Sequence, residues 1–195
     1  DNAAEQAEGL EMVGFMMARI RRMVLDILHY AKVQDFQWQR LAVTEFAEEL
    51  AAAFMSKAAA NEIAFDCQFE PKLGEFEVDA GVVRAIISNL LDNAIDACIS
   101  DTSGRAHAIT FRASGQGDAV VFAVEDNGIG MDADTRAKIF TPFYTSKGSR
   151  GTGLGLYISN KLLAQHGGSI HLDSHAGQGT CFTLSVPRTP SLAAS

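Results

Sequence analysis

A glycine-rich loop that leads directly into a helix constrains this chain more than any other stretch. The loop runs from Lys147 to Leu156 and has glycines at alternate positions 151, 153 and 155. The first turn of a helix offers unpaired N–H groups and the positive end of the helix dipole, so such a loop can hold phosphate. Because glycine clusters are more often plain turns, a nucleotide site also requires base-binding and metal-binding groups elsewhere in the chain.

The composition is that of a soluble protein with an ordinary core. Of the 195 residues, 47% are apolar and 21% are charged, which suits one domain with an appendage. The formal net charge is −8, without a lysine- or arginine-rich run, and this argues against nucleic acid or an anionic membrane as the main partner. An anionic ligand would therefore need local positive groups.

Cysteine usage and the lack of targeting signals predict a cytoplasmic location. Cys67, Cys98 and Cys181 are far apart and form no CxxC pair, which indicates reduced thiols and neither a disulfide frame nor a zinc site. There is no apolar run of about 18 residues and no signal peptide, so no membrane contact is expected from this stretch. Since the chain begins with Asp1, we expect a fragment, and the intact protein can still carry a membrane anchor.

Apolar residues near the N-terminus repeat with the spacing of a coiled-coil seam. Within a predicted helix from Leu10 to Val33, they alternate in steps of three and four, at Leu10, Val13, Met17, Ile20, Val24, Ile27 and Ala31. A second apolar row widens the stripe to the width typical of a four-helix bundle. We therefore predict a homodimer through this helix; the alternative is a single helix packed on its own domain.

The rest of the chain alternates helices and strands. Gln34 to Val43 is predicted as a linker, and Thr44 as an N-cap. Helices are predicted over 44–60, 79–99, 132–140 and 154–166, and strands over 63–69, 76–78, 109–113, 119–124, 169–174 and 180–186. The small residues after Pro187 predict a disordered tail at 188–195.

Two groups of polar residues are candidates for ligand binding. Asn89, Asn93 and Asp96 share one face of the second of these helices, where they form either a solvated stripe or a ligand-facing surface. Asp126 follows a predicted strand, and Gly128 comes two residues later. Its carboxylate can therefore point at a ligand while the chain turns away.

A long segment without periodicity, Thr141 to Thr152, precedes the helix of the glycine-rich loop. Connections of this length are typical of functional lids. Phe140 and Phe143 are expected to anchor its base, and Lys147 and Arg150 lie on it. We expect this segment to be mobile without nucleotide, and Gly151, Gly153 and Gly155 to be needed for it to close.

Four motifs in order resemble the N, G1, F and G2 boxes of the sensor histidine kinases: Asn89-Leu90-Leu91-Asp92-Asn93-Ala94, Asp126-Asn127-Gly128-Ile129-Gly130-Met131, Phe140-Thr141-Pro142-Phe143-Tyr144 and Gly151-Thr152-Gly153-Leu154-Gly155-Leu156. The resemblance covers about Thr44 to Val186. It implies a Bergerat-type ATP-binding domain at 37–187, with an α+β fold. This fold is a two-layer α/β sandwich, a mixed sheet with helices on one face. Residues 1–36 would form part of the family's dimerisation and phosphotransfer hairpin, as a long N-terminal bundle or coiled-coil helix.

The resemblance also implies roles in binding ATP and Mg²⁺. Asn93 would be the protein ligand of Mg²⁺, Asp126 would accept a hydrogen bond from the adenine amine, and Thr180 would close the adenine pocket. Gly128 and Gly130 would let the backbone approach the base. The phosphates would be held by the mobile cation Lys147 and by the backbone of Gly151, Thr152, Gly153, Leu154, Gly155 and Leu156.

Asn89 is the position that separates a kinase from ATPases of the same fold. The gyrase, chaperone and mismatch-repair ATPases carry a water-activating glutamate there, and an asparagine amide cannot act as a base. Asn89, Asn93 and Lys147 are therefore the predicted catalytic residues of phosphoryl transfer to a side chain.

The sequence departs from the family pattern in two places, which affects the expected nucleotide contacts and the expected autophosphorylation. Asp96 and Ala97 stand where a basic–aromatic pair is usual, which puts one phosphate contact and one aromatic contact in doubt. No His-Glu-x-x-Arg or His-Asp-x-x-Arg stretch is present, so we expect the phospho-accepting histidine upstream of Asp1. This chain alone should then bind ATP but not autophosphorylate.

The leading hypothesis is the ATP-binding catalytic region of a sensor histidine kinase. It would transfer the γ-phosphoryl group to a histidine for relay to an aspartate in a response-regulator receiver domain. Two alternatives stay open: a true ATPase on the same fold, and a degenerate module that dimerises without binding nucleotide.

Overall fold

The computed structural model describes residues 13–14, 16–17, 20–21, 24, 36–148 and 151–190. The described seam positions Val13, Met17, Ile20 and Val24 are helical and exposed. The other positions of the predicted N-terminal helix lie outside the described residues, so the continuous helix, the seam and the dimer stay predictions. Among the described residues, no helix is long and apolar enough to cross a bilayer.

Within the described part, five strands form a mixed sheet in the order β2-β4-β5-β7-β6. These strands are β2 (Ala64–Phe69), β4 (Ala108–Gln116), β5 (Ala119–Asp126), β6 (Ser169–His175) and β7 (Gly179–Pro187). The β2–β4 pair is parallel, and the other neighbours are antiparallel. The predicted mixed sheet is therefore confirmed.

A separate antiparallel pair joins β1 (Trp38–Ala42) to β3 (Glu75–Asp79). The prediction of a linker over Gln34 to Val43 is wrong for these five residues. Strand β1 finds its partner more than thirty residues along the chain, which local sequence cannot reveal. The ring of Trp38 also packs against His166, with centroids 4.5 Å apart, and this fixes β1 against the body of the domain.

Four helices accompany the strands in the region from residue 36 onward that the structure describes: α1 (Val43–Ala59), α2 (Ala80–Ile99), α3 (Ala133–Lys138) and α4 (Gly155–Gln165). Asp79 caps α2, since its Oδ1 accepts from the Val82 N–H at 3.0 Å. The prediction of Thr44 as an N-cap is wrong, because α1 begins at Val43 after Ala42 without a side-chain cap. Instead the Val43 N–H donates to the Gly74 carbonyl at 3.0 Å, which satisfies one of the free donors of the first turn.

The helices cover one face of the large sheet, as predicted. The apolar sides of α1, α2 and α4 bury a common core with β4, β5 and β7, in which Phe111 and Phe122 stack with centroids 6.2 Å apart. The opposite face carries polar groups such as the partly exposed ion pair between Arg112 and Glu125. This packing fixes α2 along the sheet, so its polar face is turned away from the core.

The end of the domain differs from the prediction. Arg188, assigned to a disordered tail, donates from Nη1 to the Leu73 carbonyl at 2.7 Å and to the Glu75 carbonyl at 3.0 Å. Its backbone N–H donates to the Asp118 carbonyl at 2.8 Å. The ordered chain therefore includes Arg188, while residues 191–195 lie outside the described part.

Candidate nucleotide-binding site

A cavity of about 450 Å³ lies between the polar face of α2 and the segment that leads into α4. It brings together Asn89, Asn93 and Lys147. It is also lined by five residues of the glycine loop: Gly151, Thr152, Gly153, Gly155 and Leu156. The ligand-facing interpretation of the α2 stripe is therefore favoured over a solvated stripe. A pocket with convergent polar groups is the usual form of a small-molecule site.

The Lys147 ammonium bridges two oxygens of α2. Its Nζ lies 2.6 Å from Asn93 Oδ1 and 2.7 Å from Asp96 Oδ2. Asp96 and Asn93 are three residues apart on one helix, so their side chains point the same way. Lys147 thus connects the segment before α4 to the middle of α2.

Asn89 joins α2 to the first turns of α4. Its Nδ2 donates to Ser159 Oγ at 3.1 Å, and Ser159 is buried. A Cβ added to Gly155 would lie 2.7 Å from Asn89 Oδ1, so the Asn89 side chain would have to move away from its present position. Sequence reasoning missed Ser159, since a lone serine in an apolar helix gives no signal.

Asp126 ends β5 in a buried position. Its side chain is 5% exposed, and its Oδ1 accepts from the Gly128 N–H at 2.9 Å. Burial raises the pKa of Asp126 to about 6, and backbone hydrogen bonds from Gly128 and Thr180 offset part of this rise.

Thr180 lies directly opposite Asp126 in the β5–β7 pair. Its Oγ1 lies 2.9 Å from Ser174 Oγ, which also bonds the Gly179 carbonyl at 2.9 Å. The side chains of Asp126, Ser174 and Thr180 are all buried. Buried polar groups that satisfy one another form a rigid wall, as a pocket for a base requires.

Helix α2 connects the cavity beside Asn93 to the buried region around Asp126. A Cβ on Gly128 would overlap with the backbone of Ala97, and the Ile129 N–H donates to the Ala97 carbonyl at 3.3 Å. Ala97 follows Asn93 by four residues, slightly more than one helical turn or about 6 Å along the helix axis. The Asp126 loop, which includes Gly130, is therefore packed one turn beyond the Asn93 end of the cavity.

Leu154 contributes differently from the rest of its loop. Its side chain is buried in the core, and its N–H already donates to Thr152 Oγ1 at 3.3 Å. Five of the predicted site residues do not line the 450 Å³ cavity: Leu154, Asp126, Gly128, Gly130 and Thr180. Their nucleotide-binding roles stay predictions, which rest on the shared helix.

A family model decides what these parts belong to. Residues 78–190 match the model of the histidine kinase-, DNA gyrase B- and HSP90-like ATPases, which is more than half of the chain. The chain belongs to this ATPase family. Its four motifs lie within the matched residues, and so do all the residues that line the cavity except Lys57.

Three relatives show which members of the family the chain is similar to. It is 30% identical over 171 residues to the signal transduction histidine-protein kinase AtoS of Escherichia coli, covering 88% of this chain and 27% of AtoS. The full-length structure of ShkA in complex with AMPPNP has 26% identity and a TM-score of 0.78, over 95% of this chain and 38% of ShkA. The structure of histidine kinase ThkA in complex with response regulator TrrA has 25% identity and a TM-score of 0.74, over 92% of this chain and 50% of ThkA.

The chain spans about a third of the length of the curated relatives it matches. What those whole proteins do is therefore not carried over by similarity alone.

The oxygens of α2 fit the Mg²⁺ ion that the sequence resemblance implies. Asn93 Oδ1 and Asp96 Oδ2 already converge on one cation, the Lys147 ammonium. Both are hard oxygen donors of the kind Mg²⁺ takes. No group of three or more His, Cys, Asp or Glu side chains in the described part could hold a metal alone, so phosphate and water oxygens would have to complete the set.

Arg105 was missed by the sequence reasoning, yet it clamps the Asp126 loop. Its Nη1 donates to the Gly177 carbonyl and its Nη2 to the Gly128 carbonyl, both at 2.7 Å, and it also pairs with Asp101. The clamp joins the Gly128 loop to the β6–β7 turn. A single arginine in a polar turn carries no sequence signal for such a role.

The base of the predicted lid is held by its backbone. Phe140 is partly buried against the core, as expected, but the prediction that Phe143 anchors the segment is wrong for its side chain, which is 65% exposed. Instead the Phe143 N–H donates to the Gly153 carbonyl at 2.8 Å. Gly153 has φ of +70°, and an added Cβ would overlap with the Phe143 backbone.

We expect Gly153→Ala to weaken ATP binding at least about tenfold, because a left-handed alanine costs about 1–2 kcal/mol and here also displaces the Phe143 backbone. Gly148→Ala is a matched control: Gly148 has φ of +56°, but an added Cβ there meets nothing within 4 Å. Fluorescence titration with a labelled ATP analogue measures both. Equal affinities for the two variants would show that the Gly153–Phe143 contact does not shape the site.

The pKa of Asp126 predicts a pH dependence of ATP binding. Protonation would place a hydrogen on the carboxyl oxygen that faces the adenine amine, donor against donor. The pKa of about 6 means that Asp126 is mostly protonated at pH 5. Affinity should therefore fall about tenfold from pH 7 to pH 5, as one pH unit below a pKa leaves about a tenth ionised. Asp126→Asn is the control variant, because its affinity changes with pH only through the titration of ATP and of other groups of the protein. Parallel profiles for wild type and variant would contradict the prediction.

The stability of the ligand-free domain should change in the opposite sense. The folded-state pKa of Asp126 lies above its ordinary value of 3.8. The protonated carboxyl therefore favours the folded state, and this contribution is complete below about pH 4 and lost as the pH rises through about 6.

Proposed function

We propose that this chain is the ATP-binding catalytic region of a sensor histidine kinase. It would transfer the γ-phosphoryl group of ATP to a histidine upstream of Asp1, for relay to a response-regulator aspartate. The single observation that carries the proposal is the arrangement along α2. A cation-binding pair of oxygens with Lys147 lies at a cavity beside the glycine loop, and the buried Asp126 is packed one turn further on.

Each part of the arrangement supports one task in binding ATP. Asp126 selects adenine, because it can accept from the adenine amine and repels the carbonyl that guanine presents at the same place. The loop before α4 offers backbone N–H groups to the phosphates, and Lys147 can follow them as a flexible cation. Mg²⁺, held by Asn93 and the phosphates, would neutralise the charge that develops on the transferred group.

The chemistry of the cavity favours transfer to a side chain over hydrolysis. The position of the hydrolytic glutamate is Asn89, whose amide is bonded to Ser159 and cannot accept a proton as a base. Of the carboxylates that line the cavity, Asp92 pairs with Lys57 and Asp96 pairs with Lys147. No histidine or glutamate lines the cavity in the described part of the chain. An ATPase is therefore the second candidate.

The relatives support the partners that we propose. AtoS is a histidine-protein kinase, ShkA has been solved with AMPPNP, and ThkA with a response regulator. We infer that the intact protein phosphorylates a receiver domain. We also infer that it forms a homodimer through the helix that contains Val13, Met17 and Ile20, whose side chains are exposed. For this region we propose a cytoplasmic location without nucleic-acid or membrane contact.

The test uses the full-length protein and ATP labelled at the γ-phosphate. We expect label on the protein that is lost in acid and kept in base, as a phosphohistidine requires. Isolated residues 1–195 should bind ATP but take up no label. Steady phosphate release without a labelled protein would instead establish the ATPase, and absence of nucleotide binding would establish the degenerate module. A full-length Asn93→Ala variant provides the unlabelled control.

A further inference from the structure

Asp96 presents a problem for a site that binds a polyphosphate. It lines the cavity on the same face of α2 as Asn93, and its side chain is 52% exposed. A carboxylate this close to phosphate groups would repel them by Coulomb interaction. The position is compatible with ATP only if a cation lies between Asp96 and the phosphates.

The contacts of Lys147 show where that cation would lie. Asn93 Oδ1 and Asp96 Oδ2 both contact Lys147 Nζ, at 2.6 and 2.7 Å, so the two oxygens converge on a single cation. An ammonium only donates hydrogen bonds, and the groups that surround it are the oxygen acceptors that a hard metal ion also requires. Lys147 thus marks a position with one neutral and one anionic oxygen.

We propose that Asp96 is a second protein ligand of the magnesium ion that accompanies ATP, and that Lys147 holds this position until the nucleotide arrives. The proposal rests on the proposed function, since it requires that the cavity binds ATP. Lys147 would then leave Asn93 and Asp96 to the metal and pair with phosphate.

The contact with Lys147 is suited to displacement. The side chains of Lys147 and Asp96 are 31% and 52% exposed, and ion pairs at such positions contribute only about 0–1 kcal/mol. A divalent ion with its phosphates can therefore replace the ammonium without a large cost. Asp92 differs, although it lines the same cavity, because its carboxylate is turned to Lys57.

The experiment compares the affinity for ATP with Mg²⁺ and with EDTA, in wild type, Asp96→Ala and Asp92→Ala. The two variants remove one negative charge each from the same cavity, so a general charge effect is common to both. We expect Asp96→Ala to reduce the ratio of the two affinities about tenfold or more, as for loss of a ligating group, and Asp92→Ala to leave it within about twofold. Electron paramagnetic resonance of Mn²⁺ with AMPPNP should show the same difference without catalysis.

The displacement of Lys147 has its own test. In Lys147→Met, the Mg²⁺ concentration that gives half-maximal ATP binding should fall severalfold, since the competing ammonium is gone. The fall should vanish when Asp96→Ala is added. If the required Mg²⁺ concentration also falls in the double variant, Lys147 acts through the phosphates alone. That result would overturn the proposal that Lys147 and Mg²⁺ compete for the same oxygens.

The outcomes separate this inference from the proposed function. If wild type binds no nucleotide, the proposed function fails. If wild type binds ATP with a clear dependence on Mg²⁺, and Asp96→Ala retains that dependence in full, only the assignment of Asp96 as a metal ligand is overturned. Circular dichroism of each variant identifies a loss of folding.

Discussion

Replacing Asn93 by alanine should remove most of the Mg²⁺-dependent binding of ATP. The change deletes the neutral oxygen that contacts the cation position from the centre of α2. Alanine is a better helix former than asparagine, so the helix itself should not suffer. We expect the affinity in the presence of Mg²⁺ to fall roughly 10- to 100-fold, while the weaker metal-free binding changes little. Calorimetric titration with and without EDTA measures both quantities.

Asn61→Ala is the matched control for this change. Asn61 is exposed beyond the end of α1, where its Nδ2 donates to the Lys57 carbonyl at 2.9 Å. It should bind Mg-ATP as wild type does. If Asn93→Ala kept wild-type affinity and metal dependence, the assignment of Asn93 as a magnesium ligand would be wrong.

Replacing Asp126 by asparagine should remove the preference for adenine. The Gly128 N–H needs an oxygen acceptor at the Oδ1 position, so the new amide nitrogen must take the position of Oδ2. That nitrogen opposes the adenine amine, donor against donor, but it can donate to the guanine carbonyl. We expect ATP affinity to fall roughly 10- to 100-fold, as for a lost hydrogen bond to a charged group, while GTP affinity holds or rises.

A loss of folding does not account for this result. The raised pKa of Asp126 means that ionisation opposes burial, so the neutral amide should leave the domain at least as stable near pH 7. Asp173→Asn makes the same chemical change at a side chain that is 70% exposed, and it should leave both affinities unaltered. An unchanged ratio of ATP to GTP affinity in Asp126→Asn would exclude Asp126 as the adenine acceptor.

The fold was predictable from the sequence where the pattern is local. The apolar periodicity of α2 and the carboxylate cap at Asp79 specify that helix from its own residues. Strand β1 was not predictable, because it is defined by pairing with β3. The start of α1 was misplaced for a similar reason. The Val43 N–H in its first turn donates to the distant Gly74 carbonyl, whereas the sequence suggested a cap by the side chain of Thr44.

The candidate site was predictable where a motif carries the chemistry. Asn89, Asn93, Lys147 and the glycine loop were assigned to one site, and the structure brings them to one cavity. The bridge from Lys147 to Asp96 was not foreseen, because it depends on how the segment before α4 lies over α2. Arg105 likewise acts on the carbonyls of Gly128 and Gly177, which only the folded chain brings together.

Isothermal titration of residues 1–195 with ATP in Mg²⁺ tests the central claim most directly. The account predicts saturable binding at a single site, weaker in EDTA and at least about tenfold weaker for GTP than for ATP, from the bond that Asp126 makes only with adenine. No heat of binding at millimolar ATP, from a chain shown to be folded, would contradict it.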